Sequence, residues 1–157
     1  MDEKEATCCF TGHRVIPASQ RPALEKRLEA EIVDLIRQGV RYFGAGGARG
    51  FDTMAAQAVL RLRAEHPHIR LHLVLPCKAQ AINWSEGDKA TYNHVLGQAD
   101  QVVYTSKLYE RGCMEKRNRH LVESSAVCLC YLTNRRGGTA YTVDYARLQG
   151  LRIVHLA

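Results

Sequence analysis

Apolar residues fall along this chain in two alternating patterns, short continuous runs and longer stretches with a spacing of three or four. A short run bounded by turn residues predicts a buried strand, and the longer spacing predicts one face of a helix. Thr7 to Phe10 predicts the first strand, and Leu24, Leu28, Ile32, Leu35 and Ile36 then mark a helix that Gly39 can end. Val40 to Phe43 predicts the second strand. Phe51, Met54, Ala55, Ala58, Val59 and Leu62 form a second helical stripe that exits near Pro67, and Ile69 to Leu75 predicts a third strand closed by Pro76. Ser85 and Asp88 have capping-box spacing ahead of a helix through Tyr92, Val95 and Leu96. Val102 to Tyr104 predicts a short strand, Met114 to Val122 a helix, Ala126 to Leu132 the most apolar strand, Thr139 to Gln149 the last helix and Leu151 to Leu156 the last strand. Strand-then-helix repetition on this scale predicts an α/β, Rossmann-like three-layer sandwich, a mostly parallel sheet with helices on both faces.

Composition narrows the class without changing it. A length of 157 residues with 46% hydrophobic content predicts a single domain over 1–157, and no internal repeat, low-complexity tract or linker interrupts it. No apolar run approaches the roughly 18 residues of a membrane helix, and the charged start Met1-Asp2-Glu3-Lys4-Glu5 leads into no signal-peptide core, so a cytoplasmic protein without a membrane partner is expected. Cys8, Cys9, Cys128 and Cys130 lie inside apolar strand-like runs and, with Cys77 and Cys113, form no C-x-x-C pair, so reduced, buried thiols are expected. The histidines show no zinc-like spacing, and no metal is expected.

Charge is distributed unevenly. The net charge is +6, yet residues 1–34 carry five Lys/Arg against seven Asp/Glu, which puts the basic excess downstream. Arg111, Lys116, Arg117, Arg119, Arg135 and Arg136 lie within one stretch opposed by Glu115 and Glu123, a composition suited to phosphates on a nucleotide or on nucleic acid. Lys116 and Arg119 also fit an ordinary solvated helix face.

The candidate chemistry sits in three post-strand loops, which is where ligands bind in open α/β sheets. They are Thr11-Gly12-His13-Arg14, the turn from Gly44 through Gly46, Gly47 and Arg49 to Asp52, and Arg135-Arg136-Gly137-Gly138-Thr139. Each joins glycine, for close backbone approach, to a hydroxyl or a cation, which points to a phosphate-bearing ligand. Met114, Arg117, Asn118, Leu121 and Val122 share one helical face, so Arg117 and Asn118 point inward, and Arg117 needs an anionic or carbonyl partner there. That partner is a ligand phosphate or ribose, or an internal acid such as Asp144 or Asp52. Two roles are also open for Asp52: holding ribose hydroxyls, or complementing the dipole of the helix it begins. Trp84 can stack on a base or simply pack, and Gln80 shares its loop and can bond a base edge.

Two nucleotide motifs are excluded. The second loop closes Arg49-Gly50-Phe51 where a P-loop requires Gly-Lys-Ser/Thr. Pro76-Cys77-Lys78 follows the third strand where a dinucleotide fingerprint requires an acid, which argues against ordinary NAD-dependent redox chemistry.

Taken in order, Cys9-Phe10-Thr11-Gly12-His13-Arg14, Gly46-Gly47-Ala48-Arg49-Gly50-Phe51-Asp52, Gln80 with Trp84, Cys113-Met114-Glu115-Lys116-Arg117-Asn118-Arg119 and Gly137-Gly138-Thr139 resemble the YpsA-like branch of the SLOG superfamily, from about residue 7 to residue 156. The resemblance implies a Rossmann-like fold shared with the LOG nucleotide phosphoribohydrolases and the DNA-processing protein DprA. It also implies a bacterial nucleotide or ADP-ribose-type binder, linked in some members to cell division. Met114 and Arg117 match the Met-x-x-Arg helix of the LOG hydrolases, but Ala140, Tyr141 and Thr142 follow Gly138-Thr139 where that motif carries glutamates. N-glycoside cleavage depends on such a carboxylate. The expectation is therefore a sensor or regulator with no required cofactor and no assigned catalytic residue, which binds its ligand through the three loops, Arg117 and Asn118, with Gln80 and Trp84 at the base. A nucleoside-monophosphate N-glycosidase and a DprA-like binder of single-stranded DNA are the alternatives, and pairing into a homodimer through outer helices is compatible with each.

Overall fold

A computed structural model describes residues 1–157. Strands β1 (Thr7–Gly12), β2 (Tyr42–Ala45), β3 (Arg70–Leu75), β4 (Gln101–Tyr104), β5 (Val127–Tyr131) and β6 (Arg152–His155) alternate with helices α1 (Arg21–Arg37), α2 (Phe51–Arg63), α3 (Glu86–Gln98), α4 (Cys113–Glu123) and α5 (Gly138–Leu148). Every element expected from the apolar pattern is present. One short 3-10 turn, Ala18–Gln20, carries no buried residue and so left no apolar signal.

The strand order is β4-β3-β2-β1-β5-β6, and all five pairings are parallel. The chain moves outward from β1 to β4, returns through α4, and resumes beyond β1 at β5. With right-handed crossovers, that reversal puts α1, α2 and α3 on one face and α4 and α5 on the other. Alternation along the central strands feeds both layers: Cys8, Phe10, Val127, Leu129 and Tyr131 join the larger core beneath α1 and α2, while Cys9, Cys128 and Cys130 join Leu121, Val122, Val143 and Ala146 on the opposite face. All six cysteines are buried and unbridged; burial pushes the Cys8 and Cys130 thiols up, Cys130 to about 11, and the hydrogen bond with Cys9, followed by burial, raises Cys128. Neighbouring thiols add to the rise at all three. Thiolates are the reactive form, so these side chains serve packing.

Local signals set the helix ends. Gly39, at φ +105°, follows α1, and Ser85 Oγ accepts from the Asp88 N–H at 3.2 Å to start α3. No helix is long and apolar enough to cross a membrane.

Candidate functional site

The strand order reverses between β1 and β5, so the loops leaving these two strands diverge and open a crevice above the sheet. Its volume is 1220 Å³, and Thr11, Gly12, His13, Arg14, Ala48, Asp52, Arg117, Asn118, Tyr131 and Gly137 to Thr139 are among its walls. The first and third candidate loops therefore meet as expected. The second contributes Ala48 and Asp52, while Gly44, Gly46, Gly47 and Arg49 stay outside the crevice.

What each glycine faces explains this division. A Cβ on Gly44 would stand 3.0 Å from Leu121 Cδ2, and one on Gly12 would stand 2.5 Å from the Phe51 ring. One on Gly47 would stand 2.5 Å from Leu75, and one on Gly46 would stand 2.6 Å from the Arg117 guanidinium. Gly50 has φ +78° and lies against the Arg14 backbone, where a Cβ would fall 2.2 Å from the carbonyl oxygen. The glycine-rich second loop is thus a close-packing device that lets α2 begin directly under the first loop, whose His13 carbonyl accepts from Phe51 N–H at 3.1 Å. Gly137 and Gly138 differ: a Cβ on either would meet nothing within 4 Å. They open α5, whose amino end has no side-chain cap, and the N–H groups of Gly138, Thr139 and Ala140 have no protein partner. Of these, Gly138 and Thr139 line the crevice, at the positive end of the helix dipole.

Two buried ionisable side chains, Arg117 and Asp52, also line the crevice. Arg117 is 3% exposed; its Nη1 donates to the Gly46 carbonyl, and its Nε donates to Asn118 Oδ1 at 2.7 Å. The partner required on the inward face is thus a backbone carbonyl. Neither acid suggested by the sequence forms an ion pair with it, and Asp144 pairs with Arg147 instead, at 3.3 Å. Asp52 is 8% exposed, and its Oδ2 accepts from Ala48 N–H at 3.3 Å. Burial raises the Asp52 carboxyl above the usual carboxylate range, against the pull of the Arg117 charge and the Ala48 N–H. Burial likewise draws Arg117 down, with Asp52 opposing. The Ala48 N–H, with the Gly46 N–H also favouring the charged form, supplies fewer donors than the two carboxylate oxygens can accept, and Asp52 lines the crevice.

His13 holds the two sides of the crevice together: its Nε2 accepts from Thr133 N–H at 2.9 Å, and its ring meets the Tyr131 edge at 5.8 Å between centroids. Arg14 and Arg136 are exposed at the rim. Gln80, Trp84 and Arg49 lie together in an adjoining cavity of 460 Å³, which shares Arg14, Ala48 and Met114 with the crevice. There the Arg49 guanidinium lies 5.1 Å from the centroid of the Trp84 ring, which itself meets Tyr92 edge-on. Gln80 Nε2 reaches the Gly46 carbonyl at 3.5 Å, and its Oε1 has no partner.

Sequence reasoning missed Tyr131, which stacks on Phe51 and donates to Gln20 Oε1 at 2.8 Å beneath the crevice. Its place as the last residue of a strand was the available signal. It also missed Ala48, because a backbone N–H leaves no trace in side-chain identity.

Comparison with known proteins agrees with this architecture. The family model described as the YspA SLOG family matches residues 17–151. The chain belongs to that family. Among its relatives, the UPF0398 protein BH1768 of Halalkalibacterium halodurans is 31% identical over 127 residues, covering 79% of this chain and 67% of that one. The uncharacterized SPbeta prophage-derived protein YoqJ of Bacillus subtilis is 29% identical over 137 residues, covering 79% of this chain and 80% of that one. Among solved structures, DNA processing protein A of Streptococcus pneumoniae superposes with a TM-score of 0.68 at 14% identity, over 97% of this chain and 50% of that one. DNA processing protein A of Helicobacter pylori, solved for its single-stranded DNA binding mode, gives 0.67 at 16% identity, over 95% of this chain and 64% of that one. At these identities the likeness establishes the shared fold, and the family member described here spans about half to two thirds of those proteins.

Proposed function

We propose that this YspA SLOG family protein binds a nucleotide or ADP-ribose-like ligand in the crevice between β1 and β5 and acts as a sensor or regulator. The observation that carries the reading is the uncapped amino end of α5, with three free N–H groups beside two unobstructed glycines. Phosphate oxygens are strong acceptors, and a helix amino end with open glycines is suited to them. In this reading Thr11 and Thr139 add hydroxyl donors, and Arg14 and Arg136 add charge at the rim. Asp52 takes ribose hydroxyls, because a buried carboxylate with unused acceptor capacity gains most from hydroxyl donors. Asn118 offers its amide N–H groups, since its oxygen is taken by Arg117. Arg117 keeps the Gly46 turn in place. A base extends toward Trp84 and Gln80.

A thermal-unfolding screen with adenine and guanine mononucleotides, NAD and ADP-ribose tests the reading. A ligand at 100 times its Kd adds about 2.7 kcal/mol, which for a domain of this size raises Tm by roughly 5–10 °C. A flat response across the panel would overturn the proposal. Chromatography of the same mixtures for released base separates binding from N-glycoside hydrolysis.

A second reading, single-stranded DNA binding, is favoured by the fold shared with the Helicobacter pylori protein and by the basic stretch from Arg111 to Arg136. It requires oligonucleotide affinity that falls steeply with salt.

A further inference from the structure

The cavity beside the crevice holds a guanidinium with nothing bonded to it. Arg49 lines that cavity, yet its side chain makes no hydrogen bond and joins no ion pair; the pairs in this chain are Arg61–Glu29, Arg63–Asp100, Lys89–Glu86 and Arg147–Asp144. The backbone that presents Arg49 is fixed on both sides. Ala48 N–H donates to Asp52 Oδ2 at 3.3 Å, Thr53 Oγ1 donates to the Ala48 carbonyl at 2.8 Å, and Gly50 is packed against the Arg14 backbone. The guanidinium itself rests 5.1 Å from the Trp84 ring centroid, where attraction to the ring face limits its excursions into solvent. A planar fork of N–H donors held in this way selects a flat pair of acceptors.

The walls of the cavity decide which acceptor pair fits. Ala48, Ala79, Ile82, Trp84, Tyr109 and Met114 give it an apolar lining, which suits a flat aromatic ring better than a hydrated anion. No Asp or Glu borders it. Gln80, Asn83 and Tyr109 carry groups that donate and accept, so the fixed sign comes from Arg14 and Arg49, which only donate. Among the purines, guanine and hypoxanthine present two neighbouring acceptors, N7 and O6, and an arginine fork matches that edge. Adenine presents an amino donor beside N7, which would meet the guanidinium donor to donor.

We infer that the ligand of the crevice carries a 6-oxopurine base, guanine or hypoxanthine, and that Arg49 reads its N7 and O6 atoms in the Trp84 cavity. The inference rests on the crevice being a nucleotide site. The two spaces share Arg14, Ala48 and Met114, so a ligand can pass from one to the other. Two strand spacings separate β5, whose loop opens α5, from β2, whose loop carries Arg49, and a third reaches β3, whose loop carries Trp84, which gives about 10–14 Å. An extended purine nucleoside mono- or diphosphate covers that span from its terminal phosphate to its base edge. One small ligand therefore reaches both the α5 amino end and Arg49.

Isothermal titration of the full chain with the monophosphates of guanosine, inosine, 7-deazaguanosine and adenosine tests this, and guanosine and adenosine diphosphates repeat the comparison for a ligand of longer reach. Guanosine and inosine monophosphates keep both acceptors and should bind within about twofold of each other. The 7-deaza analogue lacks N7 and adenosine monophosphate lacks O6, so each should bind roughly tenfold more weakly. Arg49→Met changes an exposed side chain, keeps much of its length and removes the fork. Loss of its charge weakens every nucleotide alike, so the ratio between bases is the readout, and in this variant the four monophosphates should bind equally. Adenosine monophosphate binding as tightly as guanosine monophosphate, a 7-deaza analogue that matches guanosine monophosphate, or discrimination that survives in Arg49→Met would overturn the base assignment while the crevice stands as a nucleotide site. Failure of every probe to bind refutes both.

Discussion

Replacing Gly50 by alanine tests whether the second glycine loop serves packing, with Gly138→Ala as its counterpart in the open turn. Gly50 has φ +78° and ψ −123°, a region that costs a residue with a side chain about 1–3 kcal/mol. Its Cβ would fall 2.2 Å from the Arg14 carbonyl oxygen, so the first loop must retreat by on the order of 1 Å to reach ordinary contact. That retreat breaks the 3.1 Å bond from Phe51 N–H to the His13 carbonyl, worth about 1 kcal/mol. The sum is about 3 kcal/mol, which in a domain of this size lowers Tm by roughly 6–12 °C. Gly138, by contrast, has no positive φ, and a Cβ there has nothing within 4 Å. Alanine at that position reduces unfolded-state freedom and adds about 0.4–1 kcal/mol, while it places a methyl group beside the proposed phosphate site and shrinks the nucleotide-induced rise in Tm. Thermal and urea unfolding followed by circular dichroism, with and without nucleotide, measure both effects. A Gly50→Ala protein that melts within about 1 °C of wild type would refute the packing account. A Gly138→Ala protein as unstable as Gly50→Ala would show that the α5 turn is closed packing after all.

Two further outcomes follow from the crevice walls. Burial raises the Asp52 carboxyl, so with rising pH the unfolded chain loses that proton first; the contribution of Asp52 is fully present below the ordinary carboxylate range and declines as pH rises toward the folded-state value. Asp52→Asn removes this decline, and urea titrations at about pH 3 and about pH 7 should show the variant improving relative to wild type at the higher pH; a difference independent of pH contradicts the assignment. His13→Ala removes the acceptor for Thr133 N–H and should lower Tm by about 2–4 °C with faster exchange of the Thr133 amide; unchanged exchange would mean that His13 does not tie the two loops together.

Much of the fold was legible because apolar periodicity is a local property. The run Val40 to Phe43 and the stripe from Phe51 to Leu62 each carry their own signal, and β2 and α2 appear within a few residues of where those patterns place them. The inward turn of Arg117 was legible for the same reason, since helix phase alone puts it on the face of Leu121. Its partner was not legible. The Gly46 carbonyl is distant in sequence, and a carbonyl group is present at every residue.

The sequence by itself determined the alternation of strands and helices and the parallel sandwich, and it offered three glycine loops as candidates for ligand binding. Only the tertiary structure decided that β1 and β5 are neighbours, and hence which loops share a crevice. It also divided glycines that look alike in sequence: Gly12, Gly44, Gly46, Gly47 and Gly50 are filled by neighbouring atoms, while Gly137 and Gly138 remain open. The physical reason is that a glycine marks either a backbone turned to positive φ, as at Gly137 (φ +91°), or a place where something comes close, and which of these holds depends on contacts made across the whole sheet. Arg14, Arg49, Trp84 and Met114 come from separate segments and border one cavity for the same reason, through strand order and crossover direction rather than any local motif.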